Sequence, residues 1–189
     1  GTKDVLKRLN KEIPFKLVTS NTRKGYVKGV RDALKLAKKD YIFFSDSGGG
    51  HDPTDFLKLA KFMKNYDMIM GYKKIRKDPL NRIFLSRGYN FMIGLIFNIW
   101  FKDIDCGFRI IKKDVLDDVL KETKTLNYCI FSEFTIRACK KGYKIKEYPV
   151  KHFRRYLDKI KTFKPMKLPK IILSLFAGLL RIRFELFTK

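Results

Sequence analysis

The chain has 189 residues, 45% of them apolar, which suffices for one folded core and argues against a disordered chain. Its 43 lysines and arginines against 19 aspartates and glutamates leave a net charge of +24, spread along the sequence, so the folded surface is positive and calls for anionic partners. Three cysteines, Cys106, Cys129 and Cys139, lack the close pairs of a zinc or redox site and favour a reducing, cytosol-facing compartment.

In chain order, the Val5, Leu6, Leu9 spacing predicts a helix over 3–11, and Pro14 to Thr19 reads as a short strand. A second helix is expected over 23–38, with Val27, Val30, Leu34 and Ala37 on one side. The apolar strand 40–45 then delivers Asp46 to a loop, "SGGGH". Asp52, Pro53 and Asp55 form a helix-start signal: a capping carboxylate, a first-turn proline and a negative charge at the positive helix end. Further elements are a strand at 66–71, a long helix over about 79–101, a strand at 107–112, helices at 113–121 and 131–141, and a strand at 143–150. This alternation predicts an α/β layered fold with a largely parallel central sheet, in which ligands bind beyond the carboxyl ends of the strands.

Two apolar runs stand apart. "FMIGLIFNIWF", 91–101, reads as a buried core helix, with Trp100 in the core. "IILSLFAGLL", 171–180, flanked by Lys167, Lys170, Arg181 and Arg183, reads as an amphipathic helix on an anionic membrane surface; docking on its own domain is the alternative. No apolar run reaches the roughly 18 residues of a spanning helix. The basic stretch 151–166 reads as a hinge, which divides the chain into a domain over 1–156 and a hinge plus surface helix over 157–189. Aromatics lie inside apolar elements and the basic residues are dispersed, so no nucleic-acid partner is expected. His51 and His152 have no ligand-spaced partners and read as turn and surface residues.

Candidate site residues gather at strand ends. Asp46 can hold a divalent cation or a sugar hydroxyl, and Gly48 and Gly49 leave backbone amides free for phosphate oxygens; a plain tight turn is the alternative. "DIDCGFR", 103–109, places Asp105 and Arg109 around Gly107. Arg82 and Ser86 share one face of the long helix. Arginine suits a phosphate clamp, although a solvated or salt-bridged role is the commoner fate of one such residue in a basic chain.

In order, "DYIFFSDSGGGHDPTDF", "MIMGYKK", "NRIFLSRGYN", "KDIDCGFRIIKKDVL", "FSEFTIRACKKGYKIKEYPV" and "HFRR" resemble the inverting family 2 glycosyltransferases of GT-A fold. The likeness is greatest to the branch of dolichyl- or polyprenyl-phosphate sugar synthases. The resemblance covers roughly 1–156 and implies a nucleotide-sugar donor, a polyprenyl or dolichyl phosphate acceptor, and a peripheral enzyme on the cytoplasmic face of a membrane. It maps the family's D-x-x-x-G-F-R segment to Asp103, Gly107, Phe108 and Arg109, and implies Asp46, Gly48, Gly49 and Arg155 at the donor diphosphate and Arg82, Ser86, Asn90 and Arg109 at the acceptor phosphate; Asp46 and Asp105 are the candidate catalytic carboxylates. It also implies a divalent cation, magnesium or manganese, on Asp46. Gly48 and Gly50 stand where the family motif has Asp and Gln, so that metal site is expected to be incomplete. The family's opening strands have no counterpart before "GTKDVLKRL", so the sheet is expected to need an upstream segment or partner chain. A non-catalytic membrane-surface protein that keeps the fold without a complete donor site is the alternative reading.

Overall fold

The computed structural model describes residues 2–153 and 168–188. Helix α1 (Thr2–Glu12) buries none of its residues. The strand expected at 14–19 does not form. Phe15 instead gives its amide hydrogen to the Asn10 side chain (2.6 Å), and no neighbouring strand pairs with the segment among the described residues, without which an isolated strand has little stability. Helix α2 (Tyr26–Lys35) starts later than expected because Gly25, at φ 80°, turns the chain just before it. It buries Val30 and Leu34.

The sheet holds β1 (Tyr41–Ser45), β2 (Met68–Lys73), β3 (Phe108–Lys112) and β4 (Ile145–Val150) in the order β1-β3-β2-β4. β3 is antiparallel to both neighbours, and β2 and β4 are parallel. The largely parallel expectation therefore holds for the direction of β1, β2 and β4 but not for the pairing at β3. The reversal has a simple cause. The chain leaves the end of β2, runs through α4 (Leu80–Phe97) and enters β3 from that same end, so Phe108 pairs with Ser45. Consequently the loops after β1, β2 and β4 and the loop before β3 collect at one end of the sheet. Those loops carry Asp46, Lys74 to Pro79, Lys151 to Phe153, and Asp103 to Gly107.

Strand alternation sorts the core. Phe108 and Ile110 face one side, with Leu59 of α3 (Phe56–Ala60) and Val150. Ile111 faces the other, packed with α2, α5 (Lys113–Leu120) and α6 (Ile130–Lys140). A third cluster joins Ile93 and Phe97 of α4, Ile136 of α6, and Leu179 and Ile182 of α7 (Leu168–Phe187). Helix α7 is thus docked on its own domain along one side. The expected boundary at 157 falls outside the described residues, and the helix beyond it belongs to the same core.

An internal ion pair fixes that docking. Arg137 of α6, 2% exposed, donates to Glu133 (2.9 Å) and to Glu185 of α7 (2.7 Å). Glu133 also accepts the amide hydrogens of Lys124, Thr125 and Leu126. Two expectations for buried side chains reverse: Trp100 is 59% exposed, while His51 and His152 are buried.

Candidate active site

Asp46 leaves β1 with its amide hydrogen donated to the Gly107 carbonyl (3.0 Å), which ties the loop after β1 to the loop before β3. Its carboxylate lies directly over Gly107: a Cβ there would sit 2.2 Å from Oδ2 and 2.7 Å from Cγ. Glycine is needed at 107 for this close approach, not for an unusual backbone angle. The Tyr26 hydroxyl, at the start of α2, donates to Asp46 Oδ1 at 2.8 Å. Burial first, then the Asp46 and Asp105 charges, push the Tyr26 hydroxyl pKa far up, so it stays a donor. Gly49 takes φ 67°, in the left-handed region that glycine tolerates, and carries the chain towards His51.

His51 forms an isolated antiparallel bridge with His152, their rings 6.0 Å apart. Burial chiefly, and then Lys73, hold the His51 pKa down, with Asp46 and Asp103 opposing. His51 Nδ1 has no hydrogen-bond partner among the described residues. His152 Nδ1 accepts the Lys77 amide hydrogen (3.1 Å), and burial, with Lys73 next, brings its pKa to about 4.

The cationic wall continues from there. Lys73 Nζ lies 3.6 Å from Asp103 Oδ2, and Arg76 Nη2 lies 4.0 Å from the same oxygen. Arg76 also donates to Ser86 Oγ (2.6 Å) and pairs with Asp78 (3.4 Å), which in turn meets Arg82 at 3.5 Å. The helix face carrying Arg82 and Ser86 is therefore organised by Arg76, a residue the sequence did not single out. Arg82 keeps 43% of its side chain exposed, so it remains accessible to an anionic ligand.

Arg109 has a different place from the one expected. It is fully buried under the Phe131 ring (4.1 Å) and donates to the Cys106 carbonyl from Nε (3.0 Å) and Nη2 (2.6 Å), to the Ile104 carbonyl (3.2 Å) and to Thr135 (3.1 Å). Its donors brace the 103–107 loop from beneath, which corrects its assignment as a phosphate clamp. Asn90 likewise holds the Lys102 carbonyl (2.7 Å). Asp105 accepts from the Ser132 amide and hydroxyl (2.9 and 3.2 Å), and burial raises its pKa to about 6 against the lowering effects of Arg109 and Ser132. Gly48 is exposed at the loop crest, and Arg155 lies outside the described residues.

A metal has few ligands here. Asp52 caps the following turn through Thr54 (3.0 Å) and meets Lys151 (3.2 Å), so it does not join Asp46 in a ligand set. Among the described residues no group of three His, Cys, Asp or Glu side chains is placed to hold an ion. The described residues therefore do not fit a protein-built divalent site.

The strand end thus gathers Asp46 and Asp103 with Lys73, Arg76 and Arg82, on a sheet with a single reversed strand. The comparisons give the class: the glycosyl transferase family 2 model matches residues 1–120, and the chain belongs to that family. An uncharacterised protein of Methanocaldococcus jannaschii is 33% identical over 132 residues, covering 66% of this chain and 56% of that protein. Polyprenol monophosphomannose synthase of Mycolicibacterium smegmatis is 25% identical over 119 residues, covering 59% and 45%. The chain thus spans about half the length of the curated relatives it matches. Among solved structures, glucosyl-3-phosphoglycerate synthase of Mycobacterium tuberculosis in complex with Mn2+, uridine diphosphate and phosphoglyceric acid superposes with a TM-score of 0.59 at 12% identity. That match covers 90% of this chain and 58% of the synthase, and it shows a shared GT-A-like fold.

Proposed function

We propose that this chain acts as an inverting glycosyltransferase. It moves a sugar from a nucleotide-sugar donor to a polyprenyl or dolichyl phosphate, working peripherally at the cytoplasmic face of a membrane. The observation that carries this reading is the row of Lys73, Arg76 and Arg82 held by Asp103 and Asp78, at the strand end where the Asp46 loop is tied to the loop before β3. Its chemistry suits two phosphorylated reactants. A lipid phosphate is already anionic near neutral pH, so its oxygen attacks the anomeric carbon without a protein base. As that bond forms, the bond to the nucleoside diphosphate breaks, and the diphosphate leaves with the electron pair. Positioning and charge neutralisation then make up most of the catalytic work.

In this scheme Asp46, held by Tyr26, accepts a hydrogen bond from a sugar hydroxyl. Lys73 and Arg76 neutralise diphosphate charge, while Arg82 meets the acceptor phosphate. The similarity to a polyprenol monophosphomannose synthase supports a lipid phosphate acceptor. Among the described residues β1 has no partner on its outer edge and α1 buries no residue, which supports completion of the sheet by another segment or chain. The incomplete metal donor set favours a second reading, a membrane-surface protein of this fold without turnover. Incubating the protein with a panel of labelled uridine and guanosine diphosphate sugars and polyprenyl phosphate, with and without manganese, separates the two. Labelled lipid that disappears in Asp46→Ala supports transfer; no labelled lipid from any donor supports the second reading.

A further inference from the structure

At the loop end of the sheet, the protein's own donors already meet the carboxylates of the described residues. Asp52 accepts from the Thr54 amide and hydroxyl (3.0 and 2.6 Å) and from Lys151 (3.2 Å). Asp55, fully buried, accepts from the Lys58 ammonium and the Lys151 amide, both at 2.7 Å. Asp103 faces Lys73 and Arg76, while Asp105 turns inward to Ser132. Asp46 accepts the Tyr26 hydroxyl on Oδ1 and lays Oδ2 over Gly107. Between Asp46 and His51 come Ser47 and three glycines, so this loop adds no second carboxylate, and the Gly50 carbonyl is taken by the Phe153 amide hydrogen (3.1 Å).

A divalent cation at a diphosphate needs hard oxygen ligands open to it, and its work there is to neutralise charge. Here those oxygens meet N–H and O–H donors, and the loops beside them carry two cations of their own, Lys73 and Arg76. We propose that the donor's nucleoside diphosphate binds this chain without a divalent cation, Lys73 and Arg76 neutralising its charge while the Tyr26 hydroxyl holds Asp46 in place. This rests on the transferase reading above and narrows it, and it departs from the cation that the family resemblance implies. Tyr26 is a positioning residue. Gly25, at φ 80°, turns the chain so that Tyr26 opens α2 within reach of Asp46. Its neutral hydroxyl fixes the carboxylate over Gly107 without cancelling the negative charge, so Asp46 stays a strong acceptor for a sugar hydroxyl. An incomplete metal donor set is then compatible with turnover.

The test is calorimetry with uridine diphosphate and guanosine diphosphate, first in EDTA and then in excess Mn2+, beside a Mn2+ titration followed by electron paramagnetic resonance. We expect one of the two nucleotides to bind in EDTA with an affinity that Mn2+ changes by no more than about twofold, and no Mn2+ retained beyond what the nucleotide alone holds. Lys73→Ala and Arg76→Ala should each weaken binding about tenfold in either condition. Tyr26→Phe should weaken it about fivefold in EDTA, and Mn2+ should recover part of that loss because Asp46 Oδ1 is then open to the ion. Thermal melts check that the variants fold, and the wild-type measurements stand without them. Affinity that rises about tenfold or more with Mn2+ in the wild type, and no longer does so in Asp46→Asn, would overturn the proposal and leave the transferase reading intact. A Tyr26→Phe loss that Mn2+ does not touch would overturn the part given to the tyrosine. Binding of neither nucleotide in either condition would overturn the proposal and the donor half of the transferase reading together. Metal-free binding without labelled lipid would support the proposal and sink turnover alone, so the two failures are separately visible.

Discussion

Gly107→Ala tests whether the carboxylate after β1 is held by the loop before β3. An added Cβ meets Asp46 Oδ2 at 2.2 Å, Cγ at 2.7 Å and Oδ1 at 3.1 Å, where ordinary contact begins at 3.4 Å. The overlap of about 1 Å involves Cγ as well as the oxygens, so spinning the carboxylate does not relieve it and the whole side chain must swing. That swing breaks the Tyr26–Asp46 hydrogen bond. Crowding of this kind costs about 1–3 kcal/mol, and the lost hydrogen bond about 1 kcal/mol at a half-buried site. Together, at about 2–4 °C per kcal/mol for a chain of this size, they lower Tm by roughly 4–16 °C. Gly88→Ala is the control, because its Cβ meets open space within α4 and should stabilise by about 0.5–1 kcal/mol. Thermal unfolding reads stability, and calorimetry with a nucleotide sugar reads the site, where displacement of Asp46 should cost tenfold or more in affinity. A Gly107→Ala protein that melts and binds as wild type does would refute this account of the loop.

Three other outcomes follow from the same geometry. Asp105 and His152 make opposite pH contributions. A carboxyl whose folded pKa is raised to about 6 adds stability below about pH 4 that is lost as pH rises through 6. A histidine lowered to about 4 adds stability above about pH 6.5 that is lost as pH falls through 4. Each is worth about 2–3 kcal/mol, so urea midpoints of the wild type should change little from these two groups between pH 4 and 7, whereas Asp105→Asn should lose stability on acidification. A variant with the wild-type pH profile would contradict these environments. Arg137→Ala, which strips the buried Glu133 of its cation, should cost about 3–5 kcal/mol and expose α7 to proteolysis; a melt within a degree of wild type would count against the ion pair as the anchor of that helix. Arg109→Lys should destabilise by about 2 kcal/mol or more in chemical denaturation, since one ammonium cannot reach the carbonyls and hydroxyl the guanidinium holds; unchanged stability with weakened phosphate binding would restore the clamp.

Local signals were legible where one short stretch carried them. The Asp52 cap, the strand delivering Asp46 and the helices α4 to α6 follow from spacing and capping that the structure repeats. The direction of β3 was hidden because a strand-helix-strand pattern does not say whether the helix returns along the sheet or stays at one end. The His51–His152 bridge joins residues far apart in the chain, beyond any local pattern. Lys73 and Arg76 were two cations among 43, and only the fold brings them to Asp103. Arg109 did carry a readable signal, since strand alternation puts it on the face of Ile111 under α6. The exposed side of α4 was masked by apolar residues on every side, which suggest a core helix until packing shows which of them are covered.

The central claim is that Asp46 and Lys73 face one ligand across His51. A double-mutant cycle of nucleotide-sugar affinity over wild type, Asp46→Asn, Lys73→Ala and the pair measures this directly. The account predicts that each single change weakens binding and that the pair departs from additivity by about 0.5 kcal/mol or more. Strict additivity, or affinity indifferent to both substitutions, would place the two side chains in separate sites.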